Sequence, residues 1–192
     1  MRISNIPRRK TKETDIEIKL NLDKSDDLKI HTGHGFFNHM LESFAKHGRF
    51  GLEVIAKGDD TGPHHLVEDV GIVLGQSLLD AAGDKEGIER FANLSMPMDE
   101  TLIDVAIDFG GRGYLVFDAP EVQDQETGLG IHLTNDFFYA LCINGKFNLH
   151  IKVVYGTNPH HIIEGMFKGT AIALRKALEI TNTGIPSTKG VL

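Results

Sequence analysis

Two kinds of hydrophobic pattern divide the chain. Ile16, Ile18, Leu20 and Leu22 alternate with polar neighbours, the period-two signal of a strand with one buried face. Ile103, Val105, Ile107 and Phe109 repeat that pattern, and both stretches open on a Glu-Thr pair, Glu13-Thr14 and Glu100-Thr101. A second strand-like match joins Gly48, Phe50, Leu52 and Val54 to Gly145, Phe147, Leu149 and Ile151. Two longer runs have helical spacing, one through Val70, Val73, Leu74, Leu78 and Leu79, the other through Phe167, Ala171, Leu174 and Leu178.

Each half therefore reads strand, strand, helix, strand, helix. In the first half the elements fall at about 13–22, 27–32, 36–47, 50–57 and 64–82. In the second they fall at about 100–109, 112–118, 131–144, 147–154 and 160–180. Four matches in one order imply a duplicated α/β (α+β) unit. The chain is expected to be a single domain, 1–192, of two pseudo-repeats at about 1–90 and 91–192. They join near Gly87 to Pro97, and a Gly/Pro/Ser loop follows Thr181.

Composition adds mainly exclusions. Hydrophobic content of 41% and charged content of 24% are ordinary for a soluble globular chain of 192 residues. A net charge of -7 argues against nucleic-acid binding, which needs a clustered basic face. The one cysteine, Cys142, excludes an intrachain disulfide and sits in an apolar run. Met1 to Lys10 is basic without an apolar core, and no run is long enough to span a bilayer, so a cytoplasmic location is expected.

Ten histidines are many for this length, and they point to chemistry. Each helical run opens on the same motif, His64-His65-x-x-Glu68 and His160-His161-x-x-Glu164. On a helix, positions three or four apart share a face, while adjacent side chains diverge by about 100°. Glu68 can join either His64 or His65 at one ion, whereas the two histidines more naturally serve two ions. The same holds for His160, His161 and Glu164. Imidazole with carboxylate suits manganese, zinc or iron(II). A single His-His pair at a helix start would read as a solvated cap; two copies at equivalent places, each with its glutamate, read as metal ligands. The repeat also pairs His39 with Asp136, by equal counting back from Gly48 and Gly145, which makes both candidate ligands.

These motifs closely resemble the imidazoleglycerol-phosphate dehydratase family. The resemblance runs through Arg9 to Thr14, Thr32 to Leu41, His64 to Asp69, Pro97 to Glu100, Gly111-Arg112, His160 to Glu164 with Phe167-Lys168, and Pro186 to Gly190. It implies a duplicated fold with helices packed between two sheets, of the ribosomal protein S5 domain 2-like kind. It also implies a hydro-lyase of histidine biosynthesis that converts imidazole glycerol phosphate to imidazole acetol phosphate. Two manganese ions per active site, and a homo-oligomer of 24 subunits with sites shared between chains, complete the expectation. The implied ligands are His39, His64, His65, Glu68, His160, His161 and Glu164. Asp136 stands where relatives often carry a metal-binding histidine, and a carboxylate there can still ligate. Gly62-Pro63 and His34 are smaller departures.

The chemistry explains the ligand demand. The hydrogen removed lies on a carbinol carbon with no carbonyl beside it, so the imidazole must supply the electron push. A metal on each ring nitrogen would hold an imidazolate that expels the hydroxyl to a diazafulvene-like intermediate. A general acid/base must stand outside the metal shell. By resemblance Glu13 is the first choice, His47 is a second candidate for substrate contact or proton shuttling, and Glu164 combines ligation with proton transfer. The metal-binding His39, His64, His65 and Glu68 would also contact the substrate. The implied phosphate cradle is Arg90, Arg112, Lys168, Ser187 and Lys189. A dinuclear hydrolase or a non-catalytic metal-binding shell would use similar clusters. The hydrolase would need a metal-bound water aimed at an ester, and no extra nucleophile is evident; the shell gives Glu13, Arg90, Arg112 and Lys189 no purpose.

Overall fold

A computed structural model describes residues 1–124, 126–181 and 183–190. Two four-stranded sheets enclose four helices. The first sheet is ordered β1-β2-β4-β3, from β1 (Arg9–Lys10), β2 (Thr14–Asn21), β4 (Gly51–Gly58) and β3 (Leu28–His31). The second repeats that order as β5-β6-β8-β7, from β5 (Phe91–Met98), β6 (Thr101–Asp108), β8 (Asn148–Tyr155) and β7 (Tyr114–Asp118). In each, the last pair is parallel and the others antiparallel. The alternation that marks β2 and β6 does what it predicts. Thr14, Ile16, Ile18 and Leu20 are buried on one face, as are Thr101, Ile103, Val105 and Ile107 on the other sheet.

The helices are α1 (Gly35–Gly48), α2 (His64–Ala82), α3 (Gly130–Gly145) and α4 (Pro159–Ala177). α1 packs on α4 and α2 on α3, with α2 also against β2 and α4 against β5 and β6. The core between the sheets is rich in phenylalanine; Phe37, Phe137, Phe138 and Phe167 are fully buried and their rings touch. Both α1 and α3 end on a non-glycine residue in the left-handed region, Arg49 at φ 55° and Lys146 at φ 51°. The α2–α3 crossing is close. A Cβ on Gly71 would lie 2.7 Å from the Phe137 carbonyl, and one on Gly75 would collide with the Leu141 carbonyl. Glycine at these two places lets the helices approach, and so sets the first turn of α2 beside α3.

The structure departs from the sequence reading at three points. Each half gains an edge strand, β1 or β5, so the unit has four strands rather than three. β5 occupies the expected join; it carries Pro97, which argues against a strand, and none of its residues is fully buried. The last helix stops at Ala177, not at 180, because Ile180 leaves to bridge Ile88.

Candidate metal centre

The second His-His-x-x-Glu motif opens α4. Pro159 stands in its first turn, and the Asn158 side chain accepts the backbone N–H groups of His160 at 2.9 Å and His161 at 3.4 Å. One turn further, Glu164 Oε2 lies 3.1 Å from His160 Nε2. α1 runs alongside and brings His39 Nε2 to 3.6 Å from Glu164 Oε1, while Lys168 Nζ meets that oxygen at 2.7 Å. Ligand atoms of His39, His160 and Glu164 lie within 4.8 Å of one another, close enough to share one ion. Burial by itself would raise the Glu164 carboxyl, but the Lys168 ammonium, with His39 and His160, outweighs it and holds the group below its ordinary range.

The first motif builds a second cluster at the start of α2. His64 Nε2 is 3.7 Å from Glu68 Oε2, and His64 Nδ1 is 3.4 Å from Asp136 Oδ2 on α3. His132, one turn before Asp136, places its Nε2 3.6 Å from the same oxygen. Both imidazoles stand within ion-pair reach, yet neither has hydrogen-bond geometry, so the buried Asp136 Oδ2 has no hydrogen-bond partner among the described residues. An orphaned carboxylate oxygen between imidazoles is costly without a cation, and it fits a divalent ion. The pairing of His39 with Asp136 inferred from the repeat thus has a spatial counterpart, one on each cluster. His132 escaped the sequence reading; its only signal was the i,i+4 spacing to Asp136.

His65 and His161 join neither cluster. His65 Nδ1 lies 3.3 Å from Asp59 Oδ2, and His161 Nδ1 2.7 Å from Glu100 Oε2. The bond to His161, with one from the Asn158 backbone, holds the Glu100 carboxyl far below its ordinary range. Asp59 and Glu100 were also missed by sequence reasoning, because they are neighbours in space only.

Glu13 sits exposed between β1 and β2, and its carboxylate has no partner among the described residues. Its backbone is fixed nonetheless. Thr11 Oγ accepts the N–H groups of Glu13 at 3.1 Å and Thr14 at 3.0 Å. The Thr14 hydroxyl donates to the Asp69 carboxylate, which Arg9 also meets at 3.0 Å. His47, half-buried near the end of α1, is pushed down in pKa by burial and by the charges of Lys168 and Lys46, which keeps it neutral at pH 7.

Four of the five expected phosphate residues line one cleft of about 800 Å³: Arg90, Arg112, Ser187 and Lys189. Arg90 organises it. Its Nε and Nη2 bond Asp108 at 2.7 and 3.2 Å, and its Nη1 donates to the Pro186 carbonyl at 2.9 Å, which holds the tail in place. Lys168 does not line the cleft; it is paired with Glu164.

Imidazole–carboxylate groupings on the helices of a duplicated α+β fold are of the kind that metal-dependent enzymes use. Among the described residues, His39, His160 and Glu164 bring three ligand atoms within reach of one ion, whereas His64 meets Glu68 and Asp136 through opposite ring nitrogens. Comparison with known proteins makes this specific. The profile described as imidazoleglycerol-phosphate dehydratase matches residues 32–174. An imidazoleglycerol-phosphate dehydratase of Lacticaseibacillus casei is 53% identical over the full length of both chains. One of Methanococcoides burtonii is 54% identical, covering 96% of each. A crystal structure from Pyrococcus furiosus superimposes with a TM-score of 0.85 at 37% identity, covering 97% of this chain and 100% of that one. One from Staphylococcus aureus gives 0.83 at 38%, covering 94% and 99%. The chain belongs to the imidazoleglycerol-phosphate dehydratase family, whose members are hydro-lyases.

Proposed function

We propose that the chain removes water from imidazole glycerol phosphate to give imidazole acetol phosphate in histidine biosynthesis, using two manganese ions per site. The observation that carries this reading is the pair of clusters at equivalent places in the two halves, His39–His160–Glu164 and His64–Glu68–Asp136. Bound among these side chains, such ions would supply Lewis acidity that favours the imidazolate form of the substrate ring. Electron push from the ring expels the adjacent hydroxyl and leaves a diazafulvene-like intermediate, whose neighbouring proton is then acidic. Glu13, with its unengaged carboxylate, takes that proton. His47, neutral and close to Lys168, can accept the proton released as the ring becomes imidazolate and pass it to the departing hydroxyl, and Glu164, ionised, can act as an acceptor in the same relay. Arg90, Arg112, Ser187 and Lys189 hold the phosphate in their cleft. Lys168 pairs with Glu164 outside that cleft and keeps its carboxylate ionised.

His65 and His161 stand outside both clusters, and this supports sites shared between chains of a homo-oligomer, each completed by a neighbour's imidazole. A cytoplasmic location belongs to the same reading. Among the described residues, no helix is long and apolar enough to cross a membrane.

The test is dehydration of imidazole glycerol phosphate by the purified protein with manganese, before and after chelation. Absence of metal-dependent ketone product would sink the proposal. Lys189→Ala should raise KM about 10–100-fold, the worth of one or two charge-assisted bonds. An unchanged KM would remove Lys189 from the cradle.

A further inference from the structure

We propose that Glu100 is the positioning residue of His161: it fixes the tautomer and aim of that imidazole so that Nε2 is presented as a metal ligand. The inference rests on the ligand role proposed above for His161 and adds what makes that role possible.

His160 and His161 leave α4 about 100° apart, so the face that carries His160 to His39 carries His161 elsewhere. It meets the turn between β5 and β6, where Glu100 Oε2 lies 2.7 Å from His161 Nδ1. The carboxylate is itself held. Its Oε1 accepts the Thr101 hydroxyl at 2.8 Å, the Asn158 N–H at 2.9 Å and the Thr157 N–H at 3.4 Å. Three donors on one oxygen leave the other a single direction, toward the imidazole. Glu100 thus ties the β5–β6 turn to the start of α4 and to the ring on its second turn-facing position.

A carboxylate accepts hydrogen bonds, so the proton of a neutral His161 sits on Nδ1 and the lone pair on Nε2. The nearest charged oxygen to Nε2 is that of Asp99, 3.8 Å away on a side chain that is 81% exposed, beyond hydrogen-bond reach. Nε2 is therefore open to a ligand. Metal-binding histidines commonly donate their other nitrogen to a carboxylate, which orients the ring and raises its basicity. The first half has a looser version, with His65 Nδ1 at 3.3 Å from Asp59, whose carboxylate also serves Thr61. Of the four histidines in the two motifs, the two that join no cluster, His65 and His161, are the two whose Nδ1 is hydrogen-bonded to a carboxylate.

The experiment measures manganese affinity of the assembled protein by the electron paramagnetic resonance signal of free Mn(II), for the parent, Glu100→Gln, His161→Gln and the double variant. The melting temperature of each metal-free form controls for folding. Glu100→Gln keeps an oxygen for Thr101 and Asn158 but loses the charge facing Nδ1. Its affinity should fall about 10–100-fold. His161→Gln should fall at least as far, and the double variant no further than His161→Gln, because Glu100 acts through that ring. Glu100→Asp, which keeps the charge one methylene short, should lose less than Glu100→Gln. Parental affinity in Glu100→Gln, or a double variant that shows the two losses multiplied, would overturn the inference and leave the dehydratase reading intact. A parent that binds no manganese, or His161→Gln that binds it as tightly as the parent, would overturn both.

Discussion

The two clusters come from one motif at equivalent places, yet their electrostatics differ. Glu164 is buried, its side chain 8% exposed, and it carries its own counter-charge in Lys168. Glu68 is 45% exposed, and the position that corresponds to Lys168, four residues on, is Ile72. The α4 motif is held by the Asn158 cap, whereas α2 starts at Pro63 with no side-chain cap. The second cluster instead sets two carboxylates, Glu68 and Asp136, around His64, with His132 beside Asp136. Duplication preserves where ligands stand on the helices. It does not preserve how each cluster balances charge.

The strongest way to break this comparison is to neutralise the two glutamates in turn. Glu164→Gln strands the Lys168 ammonium, 21% exposed, and should cost the metal-free protein about 3 kcal/mol, with kcat/KM lowered at least about 100-fold. Glu68→Gln should cost under about 1 kcal/mol, as expected for an exposed pair. Equal losses in thermal unfolding would end the contrast.

Asp69 tests how the first half holds its machinery, since its counterpart in the second half is Gly165. Asp69→Asn weakens the bonds to Arg9 and Thr14 and should cost about 2 kcal/mol in denaturant unfolding. Activity should fall as well, because Glu13 adjoins that network; full activity in the destabilised variant would detach Glu13 from it.

Asp136→Asn should act in the opposite sense. Removing the charge from an orphaned buried oxygen should stabilise the metal-free protein by about 1 kcal/mol while weakening manganese binding about tenfold. Destabilisation would show that the metal-free carboxylate already has adequate partners.

The smallest effect is one of pH. Because the Glu164 carboxyl is held below its ordinary value of 4.5, its ion pair contributes fully above that pH. The contribution is lost as pH falls through the lowered folded pKa. Metal-free melting temperature should therefore drop between about pH 5 and 3 in the parent. In Lys168→Met the burial of Glu164 is uncompensated, its carboxyl rises, and the drop should shrink or reverse. A parallel decline in both proteins would discount the pair.

Most of the fold was legible along the chain because its signals are local. The alternation of β2 and β6 and the apolar stripes of α2 and α4 each lie within one element, and the repeat doubled every signal. β5 was missed since half of its residues face outward and Pro97 interrupts it. At the candidate centre, the pairs His64–Glu68 and His160–Glu164 follow from helical spacing alone. Their sorting into clusters does not. His39 reaches Glu164 across 125 positions of sequence only because α1 lies on α4, and Arg90 reaches Pro186 only because the tail folds back.

By itself the sequence determined the order of ten of the twelve elements, the duplication, the buried faces and the residue types able to bind metal, all of them local signals. Tertiary structure alone decided the rest. It joined His39 to one cluster and Asp136 to the other, buried Glu164 but left Glu68 exposed, and turned His65 and His161 away toward Asp59 and Glu100. Those choices depend on how closely helices can pack, down to the missing side chains of Gly71 and Gly75, and on which charges must find partners once water is excluded.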